Sequence, residues 1–472
     1  MDAKKKSSRP KLVLGLLLAT VTIALATPAL SSGTSRLEPQ VLPPVQGVVP
    51  NVLVIVTDDQ RIKMLKTMPQ TSEFFIDGGT QYPNGYVTTP LCCPSRGSIF
   101  TGRYAHNHGI KHNNMAEALD QTTTIQFQLQ QAGYKTGIVG KYFRNWNIPS
   151  DPPYFDKWSI FTAGYYDRLF NTEGTVHTVA QYSTDYLAQE SARMLREFEA
   201  EGDLTPWFLY VAPSAPHKPY VAARGYRNLK VPDWRGNAAV HEKDRSDKPP
   251  FIRAQHDDLR HGNRIRKKQI RTLKSVDDLI GTIVATLGDL QENRDTLAIF
   301  ISDNGYLLGE HGFVGKRQPY TESIEVPLVL RLPGVLPRGS VDQRFAANID
   351  IAPTILEAAQ VPEEVRVASD GHSLLGDYKR QYMFTEQWGN PQKNLPDWAS
   401  IRTTDYQYVE YYATLPGEGA EFVSFREYYD LKRDPFQLEN LFADGNPNND
   451  PNPVPLEAAV RDFRTCAEDS CP

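Results

Sequence analysis

The sequence predicts an α/β fold: a large, mostly parallel sheet flanked by helices, followed by a smaller C-terminal subdomain built on an antiparallel sheet. Three observations carry this expectation. From Asn51 to about residue 375, short apolar runs alternate with stretches of helical period, the pattern of strands and crossover helices. Four of the apolar runs end in charged or amide side chains, as strands of an open parallel sheet do where they border a ligand crevice. Beyond residue 375 the chain turns to short aromatic-rich stretches, "QYMFTEQW", "WASIRTTDYQYVEYY" and "FREYYDL", which read as antiparallel strands.

Taken in chain order, Lys4, Lys5, Lys6, Arg9 and Lys11 precede the apolar run "LVLGLLLATVTIALA", which ends on small residues at Ala24 and Ala26. Residues 1–26 therefore read as a secretory signal peptide; the competing reading is a retained N-terminal anchor, the one route to a membrane. Either way the folded part faces outward, into an extracellular, periplasmic or lumenal compartment where disulfides persist. Residues 27–48, rich in Pro, Ser and Gly, read as a linker. Residues 49–375 are expected to form the main domain and residues 376–445 the C-terminal subdomain. Residues 446–472 are expected to be a turn-rich tail, tied down by a Cys466–Cys471 disulfide. A net charge of -5 over 472 residues of ordinary globular composition argues against a nucleic-acid partner.

The run "NVLVIV" stops at Thr57-Asp58-Asp59, "TGIVG" at Lys141, "WFLYVAPSAP" at His217 and "TLAIFIS" at Asp303-Asn304. Ligands of parallel sheets bind outside the carboxyl ends of the strands, so these four clusters are expected to meet at one pocket. Asp58, Asp59 and Asp303 packed together would repel unless a hard divalent ion took their oxygens, and calcium fits slightly better than magnesium. The plainer alternative, that each pair caps a strand-to-helix turn, weakens when the pairing recurs beside a lysine and a histidine. Between these runs, Ile265, Leu273, Val276, Ile280, Ile283, Val284 and Leu287 repeat at helical spacing and predict a long helix packed on the sheet. Its basic first half, Arg264 to Lys274, is a solvated face or, less simply, a polyanion site.

In "PLCCPSRGS", Pro94 suits the first turn of a short helix closed by Gly102, which puts Cys92 just ahead of the helix start. That position favours an anion, and with Arg96 one turn in, it predicts a thiol of lowered pKa able to act as a nucleophile. Adjacent cysteines rarely bridge, so Cys92 and Cys93 are expected to stay free of each other. Lys141 and Lys316 suit the charge of a transferring oxyanion, and His217 suits proton delivery to a leaving oxygen. Singly, each of the three is better explained by an exposed lysine or a structural histidine.

Together these residues resemble the type I sulfatases of the alkaline-phosphatase superfamily. Cys92-Cys93-Pro94-Ser95-Arg96, followed by "GSIFTGRYAHNHGI", is similar to the family's C-x-P-S-R signature and its continuation. The resemblance runs on through "GIVGKY", "APSAPHKPY", "ISDNGYLLGEHGFVGKRQPYTESIEVPLVLRLPG" and "EYYDLKRDPFQLENL". It implies that a formylglycine-generating enzyme oxidises Cys92 to formylglycine, whose hydrate attacks sulfur and carries the sulfate until elimination. It implies that Asp58, Asp59, Asp303, Asn304 and the modified Cys92 hold one calcium ion, that Arg96 steadies the hydrate, that Lys141 and Lys316 bind sulfate oxygens, and that His217 protonates the leaving group.

One position departs from the pattern: Phe143 stands where many sulfatases carry the histidine that takes the hydrate's proton, leaving His106, His108 or water as substitutes. The spelling around Lys141 and Cys92 is closest to N-acetylglucosamine-6-sulfatases, which implies a sulfated sugar, such as N-acetylglucosamine 6-sulfate or a glycosaminoglycan, or an aryl sulfate as substrate. Specificity is expected from loops at 144–180 and 221–263. The competing functions are phosphate or phosphonate ester hydrolysis on the same fold, and catalytically silent binding of extracellular glycans.

Overall fold

The run "NVLVIVT" forms strand β1 (Asn51–Thr57), and every residue of it is buried because both faces of the sheet are covered. The computed structural model describes residues 49–200, 204–390, 395–415 and 420–472. The expected signal peptide and linker, 1–26 and 27–48, lie outside the described residues. β1 belongs to a ten-stranded sheet. Its other strands are β2 (Thr80–Gln81), β3 (Lys135–Lys141), β4 (Lys157–Phe161), β5 (Arg168–Thr172), β6 (Thr175–Val179), β7 (Trp207–Ala212), β8 (Thr296–Ser302), β9 (Leu328–Arg331) and β10 (Ser340–Val341). Across the sheet they run in the order β10, β2, β9, β8, β1, β7, β3, β4, β5, β6. The five central strands, β8, β1, β7, β3 and β4, are mutually parallel. Antiparallel pairing enters only outside them, where β9 joins β8 and β2 and where β5 and β6 follow β4.

Alternation along β1 sends successive side chains to opposite faces. Val52, Val54 and Val56 pack with Ile99, Phe100, Tyr142 and Phe143 in one core cluster. Leu53 and Ile55 face the other, which contains Leu273, Val276, Ile280 and Ile283. Those four belong to a long helix spanning Leu259–Asp289, capped by Asp258, whose side chain accepts from the His261 N–H. Its apolar stripe is the one the spacing predicted, with Val284 at the half-buried margin.

The basic half of this helix is spent on tethering. Arg266 and Arg271 donate to the carbonyls of Pro232 and Leu229, Lys267 pairs with Asp233, and Lys274 donates to the Thr67 carbonyl. These cations pin neighbouring loops to the helix, while Arg264 and Lys268 are exposed, so the stretch is a solvated face that also tethers loops.

Strands β11 (Met383–Gln387), β12 (Asp397–Arg402), β13 (Tyr406–Thr414) and β14 (Glu421–Asp430) form the second sheet, antiparallel throughout as expected. The tail differs from its expectation. Pro453–Thr465 form a helix that buries Leu456, Val460 and Phe463, with the Phe463 ring stacked 5.2 Å from that of Phe384. The turn-rich composition of the preceding segment masks an apolar stripe at spacings of four and three, and the stripe decides the structure. The Cys466–Cys471 disulfide follows directly. Among the described residues, no helix is long and apolar enough to cross a membrane.

Candidate active site

Strands β8, β1, β7 and β3 are consecutive neighbours in the sheet, so the four polar clusters that end them open on one edge. Asp58 and Asp59 follow β1, Asp303 and Asn304 follow β8, Lys141 is the last residue of β3, and the turn after β7 delivers His217. Facing this edge is the short helix α1 (Cys92–Thr101). Leu91 is its N-cap, so Cys92 is the first helical residue rather than the one before, and Gly102 closes it in the left-handed region as expected.

All of these side chains meet. Lys141 Nζ lies 2.5 Å from Asp58 Oδ2, and Lys316 Nζ contacts Asp59 Oδ1 and donates to Asn304 Oδ1 at 3.0 Å. Asn304 Nδ2 donates to Asp59 Oδ1 at 2.7 Å, and the Asp59 N–H donates to Asp303 Oδ1 at 3.2 Å. Arg96 donates from Nε to Asp303 Oδ2 at 3.0 Å and from Nη1 to the Lys141 carbonyl at 2.7 Å. Cys92 Sγ lies 3.6 Å from Asp58 Oδ1 and 2.7 Å from Lys316 Nζ. His217 Nδ1 binds the Lys218 carbonyl at 2.7 Å, which turns Nε2 toward Asp59 Oδ2 at 3.8 Å.

Two backbone features hold this geometry. Asp59 has a φ of 72°, a left-handed conformation that costs a non-glycine residue on the order of 1 kcal/mol and is fixed here by its bonds to Asp303 and Asn304. Gly140 has a φ of 116°, and a Cβ there would lie 2.3 Å from the Ala212 carbonyl oxygen. Only glycine lets β3 approach β7 closely enough to set Lys141 beside Asp58.

The electrostatics follow from burial and pairing. Burial alone would raise the Asp58 carboxyl, but Lys141, His217, Lys316 and Arg96 outweigh it and hold Asp58 far below the usual range. Asp303 is pushed up by burial and by Asp58, against the pull of Arg96. Lys141 and Lys316 are held above the usual lysine value because their carboxylate neighbours overcome burial. Burial pushes the Cys92 thiol up to about 12 in spite of both lysines. This overturns the expectation of a lowered pKa: a helix start and two cations do not offset complete removal from water. Burial thus favours the protonated thiol of unmodified Cys92.

One donor atom each from Asp58, Asp59, Cys92 and His217 lie within 4.8 Å of one another. Carboxylate and amide oxygens dominate the cluster, and two ammonium groups are drawn onto them, Lys141 on Asp58 and Lys316 on Asp59 and Asn304. Oxygen donors that already attract cations fit a hard divalent ion.

Phe143 is fully buried against Phe100 and Tyr142 and offers no proton acceptor. His106 binds Glu386 through Nδ1 and the Cys466 carbonyl through Nε2. His108 binds Ser98 through Nε2 and accepts the Ile110 N–H at Nδ1. Both ring nitrogens of both histidines are thus engaged away from Cys92. Cys92 and Cys93 are free thiols, as expected.

Beside α1 lies a cavity of about 440 Å³, lined by residues 112–114, Arg144, Asn145, Arg317, Gly389 and Asn390. Cys93 ties two of its walls together: its N–H donates to Asn113 Oδ1 at 3.0 Å, and its Sγ accepts the Arg144 N–H at 3.3 Å. Of the loops expected to set specificity, 144–180 contributes Arg144 and Asn145 to this lining and 221–263 contributes nothing. Sequence reasoning missed Asn113, Arg317 and Asn390; the available signals were the polar run "KHNN" and the second cation in "GKRQ".

Comparison with known proteins agrees with this geometry. A family model described as Sulfatase matches residues 50–361, and one described as N-sulphoglucosamine sulphohydrolase, C-terminal, matches residues 309–452. The putative extracellular sulfatase Sulf-1 homolog of Caenorhabditis elegans is 32% identical over 69% of this chain and 48% of its own length. The N-acetylglucosamine-6-sulfatase of Homo sapiens is 31% identical over 69% of this chain and 64% of its own. The chain thus spans about half the length of the first relative and less than two thirds of the second. A solved structure of a protein in complex with its substrate D-glucosamine-2-N,6-O-disulfate shares the fold, with a TM-score of 0.72 at 22% identity, covering 88% of this chain and 96% of that one. The matched span contains every strand-end cluster together with the Cys92 helix, and the chain belongs to the sulfatase family.

Proposed function

We propose that the protein is a sulfuric ester hydrolase, acting on a sulfated sugar such as N-acetylglucosamine 6-sulfate or on an aryl sulfate. The observation that carries this reading is the meeting of Asp58, Asp59, Asp303, Asn304, Cys92, Lys141, His217 and Lys316 at one buried sheet edge. In this reading residue 92 is converted to formylglycine by a dedicated maturation enzyme, and the hydrated aldehyde supplies the nucleophile that a buried thiol of pKa about 12 does not. Asp58, Asp59, Asp303, Asn304 and residue 92 would hold one calcium ion, which supplies Lewis-acid stabilisation of ester oxygens.

The chain's own residues do the rest. Arg96, bonded to Asp303 and to the Lys141 carbonyl, fixes the floor beneath residue 92. Lys316 Nζ, 2.7 Å from Cys92 Sγ, and Lys141 are placed to bind the sulfate oxygens flanking the point of attack. The Lys218 carbonyl orients His217 so that Nε2 faces the cluster, where it passes a proton to the departing alcohol oxygen. Asp58, Asp59 and Asp303 balance Arg96, Lys141 and Lys316, so a bound divalent ion would leave the site positive, the sign an anionic ester requires. With Phe143 in the apolar core and His106 and His108 engaged elsewhere, water is what remains of the three expected substitutes for taking the proton of residue 92.

The names of the relatives support a sulfated sugar and an exported enzyme. Residues 49–375 would serve as the catalytic domain and 376–445 as the C-terminal subdomain. The test is a comparison of kcat/KM on an aryl sulfate and an aryl phosphate, with protein whose residue 92 is converted and with calcium present. Higher efficiency on the sulfate is expected; higher efficiency on the phosphate would replace this reading with phosphoester hydrolysis. Binding of sulfated glycans without sulfate release would point to a silent binding protein.

A further inference from the structure

Among the described residues, the lining of the cavity beside α1 contains no acidic side chain. It presents Arg144, Arg317 and His112 together with the amides of four asparagines. Such a wall suits a polar ligand that carries negative charge. Arg317 is the residue that asks for a partner. Its Nη1 is buried and makes no hydrogen bond, although an unpaired buried donor is costly and a charged one more so. Burial, joined by Arg144 and opposed by Cys92, holds the Arg317 guanidinium below its usual value, and burial and Arg317 lower His112 against the pull of Asp397. Two guanidinium groups therefore share a cavity whose described lining carries no carboxylate, the Asp397 carboxylate behind it being bonded to the Gly389 N–H.

The backbone holds Arg317 there deliberately. Its φ is 77°, in the left-handed region, and the Trp398 indole N–H donates to its carbonyl at 2.9 Å. Lys316 and Arg317 are consecutive, yet the first points its ammonium at Cys92 and the second lines the cavity. The Cys93 contacts to Asn113 and Arg144 place the other wall one residue from the nucleophile position. Arg317 also lies near enough to Cys92 to interact with it electrostatically, which sets this cavity beside the position of attack.

We propose that Arg317, with Arg144 and His112, forms a subsite for a second anionic group of the substrate, a sulfate or a carboxylate borne by the sugar that carries the scissile ester or by its neighbour. The inference rests on the sulfatase reading and narrows it: a substrate with one sulfate and no other charge leaves the guanidinium unpaired. Arginine is suited to this task because its fork bonds both kinds of oxyanion through two nitrogens.

The test uses matured, calcium-loaded protein and three probes: glucosamine 6-sulfate, glucosamine 2-N,6-O-disulfate, and a disaccharide joining a uronate to 6-sulfated glucosamine. Wild type should favour one of the doubly anionic probes over the monosulfate by about ten- to a hundredfold in kcat/KM, the worth of a charged hydrogen bond. Preference for the disulfate places the second anion on the same sugar, and preference for the uronate places it on the neighbour. Arg317→Ala should bring that ratio near one, mainly through KM, and Arg317→Lys should fall between, with thermal unfolding confirming that both variants fold. Equal efficiency on all three probes, or a preference that survives Arg317→Ala, overturns the proposal. If neither these probes nor an aryl sulfate is hydrolysed, the sulfatase reading fails on its own. The subsite is then judged by equilibrium binding of the disulfate, where equal affinity of wild type and Arg317→Ala overturns it.

Discussion

Replacing Arg96 by methionine keeps much of the side chain's volume while removing the guanidinium on which Asp303 depends. Both side chains are fully buried, and an Arg96 terminal nitrogen lies 2.9 Å from Asp303 Oδ2. At an effective dielectric of about 20, unit charges at that distance attract by about 6 kcal/mol. Much of this offsets desolvation, so the observable loss is what an unpaired buried carboxylate costs, about 3–5 kcal/mol. Losing the bond to the Lys141 carbonyl adds about 1 kcal/mol. Urea unfolding in metal-free buffer should therefore show Arg96→Met destabilised by roughly 4–6 kcal/mol. The double variant Arg96→Met/Asp303→Asn should recover part of it, because no charge is then stranded. A single-variant loss below about 1 kcal/mol, or strictly additive losses in the double variant, would refute the reasoning.

Three further outcomes are expected. His108 is buried and its pKa is held down to about 3, chiefly by burial. Between pH of about 6.5 and 3 the unfolded chain binds a proton that the folded one refuses, so this stabilisation is full above about 6.5 and is lost as pH falls, up to ~5 kcal/mol. Urea midpoints from pH 7 to 4 should fall less steeply for His108→Gln than for wild type; parallel curves would contradict the assignment. Cys93→Thr should keep most sulfate release, since a hydroxyl can replace the sulfur contacts at 3.3 and 3.5 Å to Arg144 and Asn113; a loss as large as that of Cys92→Ala would assign Cys93 a chemical role. Calcium at about a hundred times its Kd should stabilise the folded chain by about 2.7 kcal/mol, and Asp58→Asn should abolish that shift in an unfolding titration with and without chelator.

Much of the fold and of the cluster is legible in the sequence for a physical reason. Strands covered on both faces must be continuously apolar, so "NVLVIV" and "TLAIFIS" announce themselves, and their polar ends mark the crevice. The long helix declares its buried stripe by period. What escaped depends on neighbours distant in the chain. The thiol of Cys92 looks activated when only its helix start and Arg96 are weighed, because depth of burial is a tertiary property. The cavity wall draws Asn113, Arg144, Arg317 and Asn390 from four separate loops with no shared period. The basic stretch from Arg264 reads as a solvated face, and its tethering role emerges only with the carbonyls of Leu229, Pro232 and Thr67 at its side chains. The tail helix is masked for a different reason: Leu456, Val460 and Phe463 carry the stripe, but the run of Asn and Pro before them signals turns.

The chemistry at residue 92 decides the whole proposal, because the buried thiol seen there does not suit nucleophilic attack at neutral pH. Mass analysis of the peptide spanning residue 92, from protein made in its own host, reads that chemistry without a substrate. The expected result is a peptide in which sulfur has been exchanged for an aldehyde oxygen at Cys92 while Cys93 keeps its thiol. A thiol at position 92 in every molecule of an active preparation would contradict the mechanism.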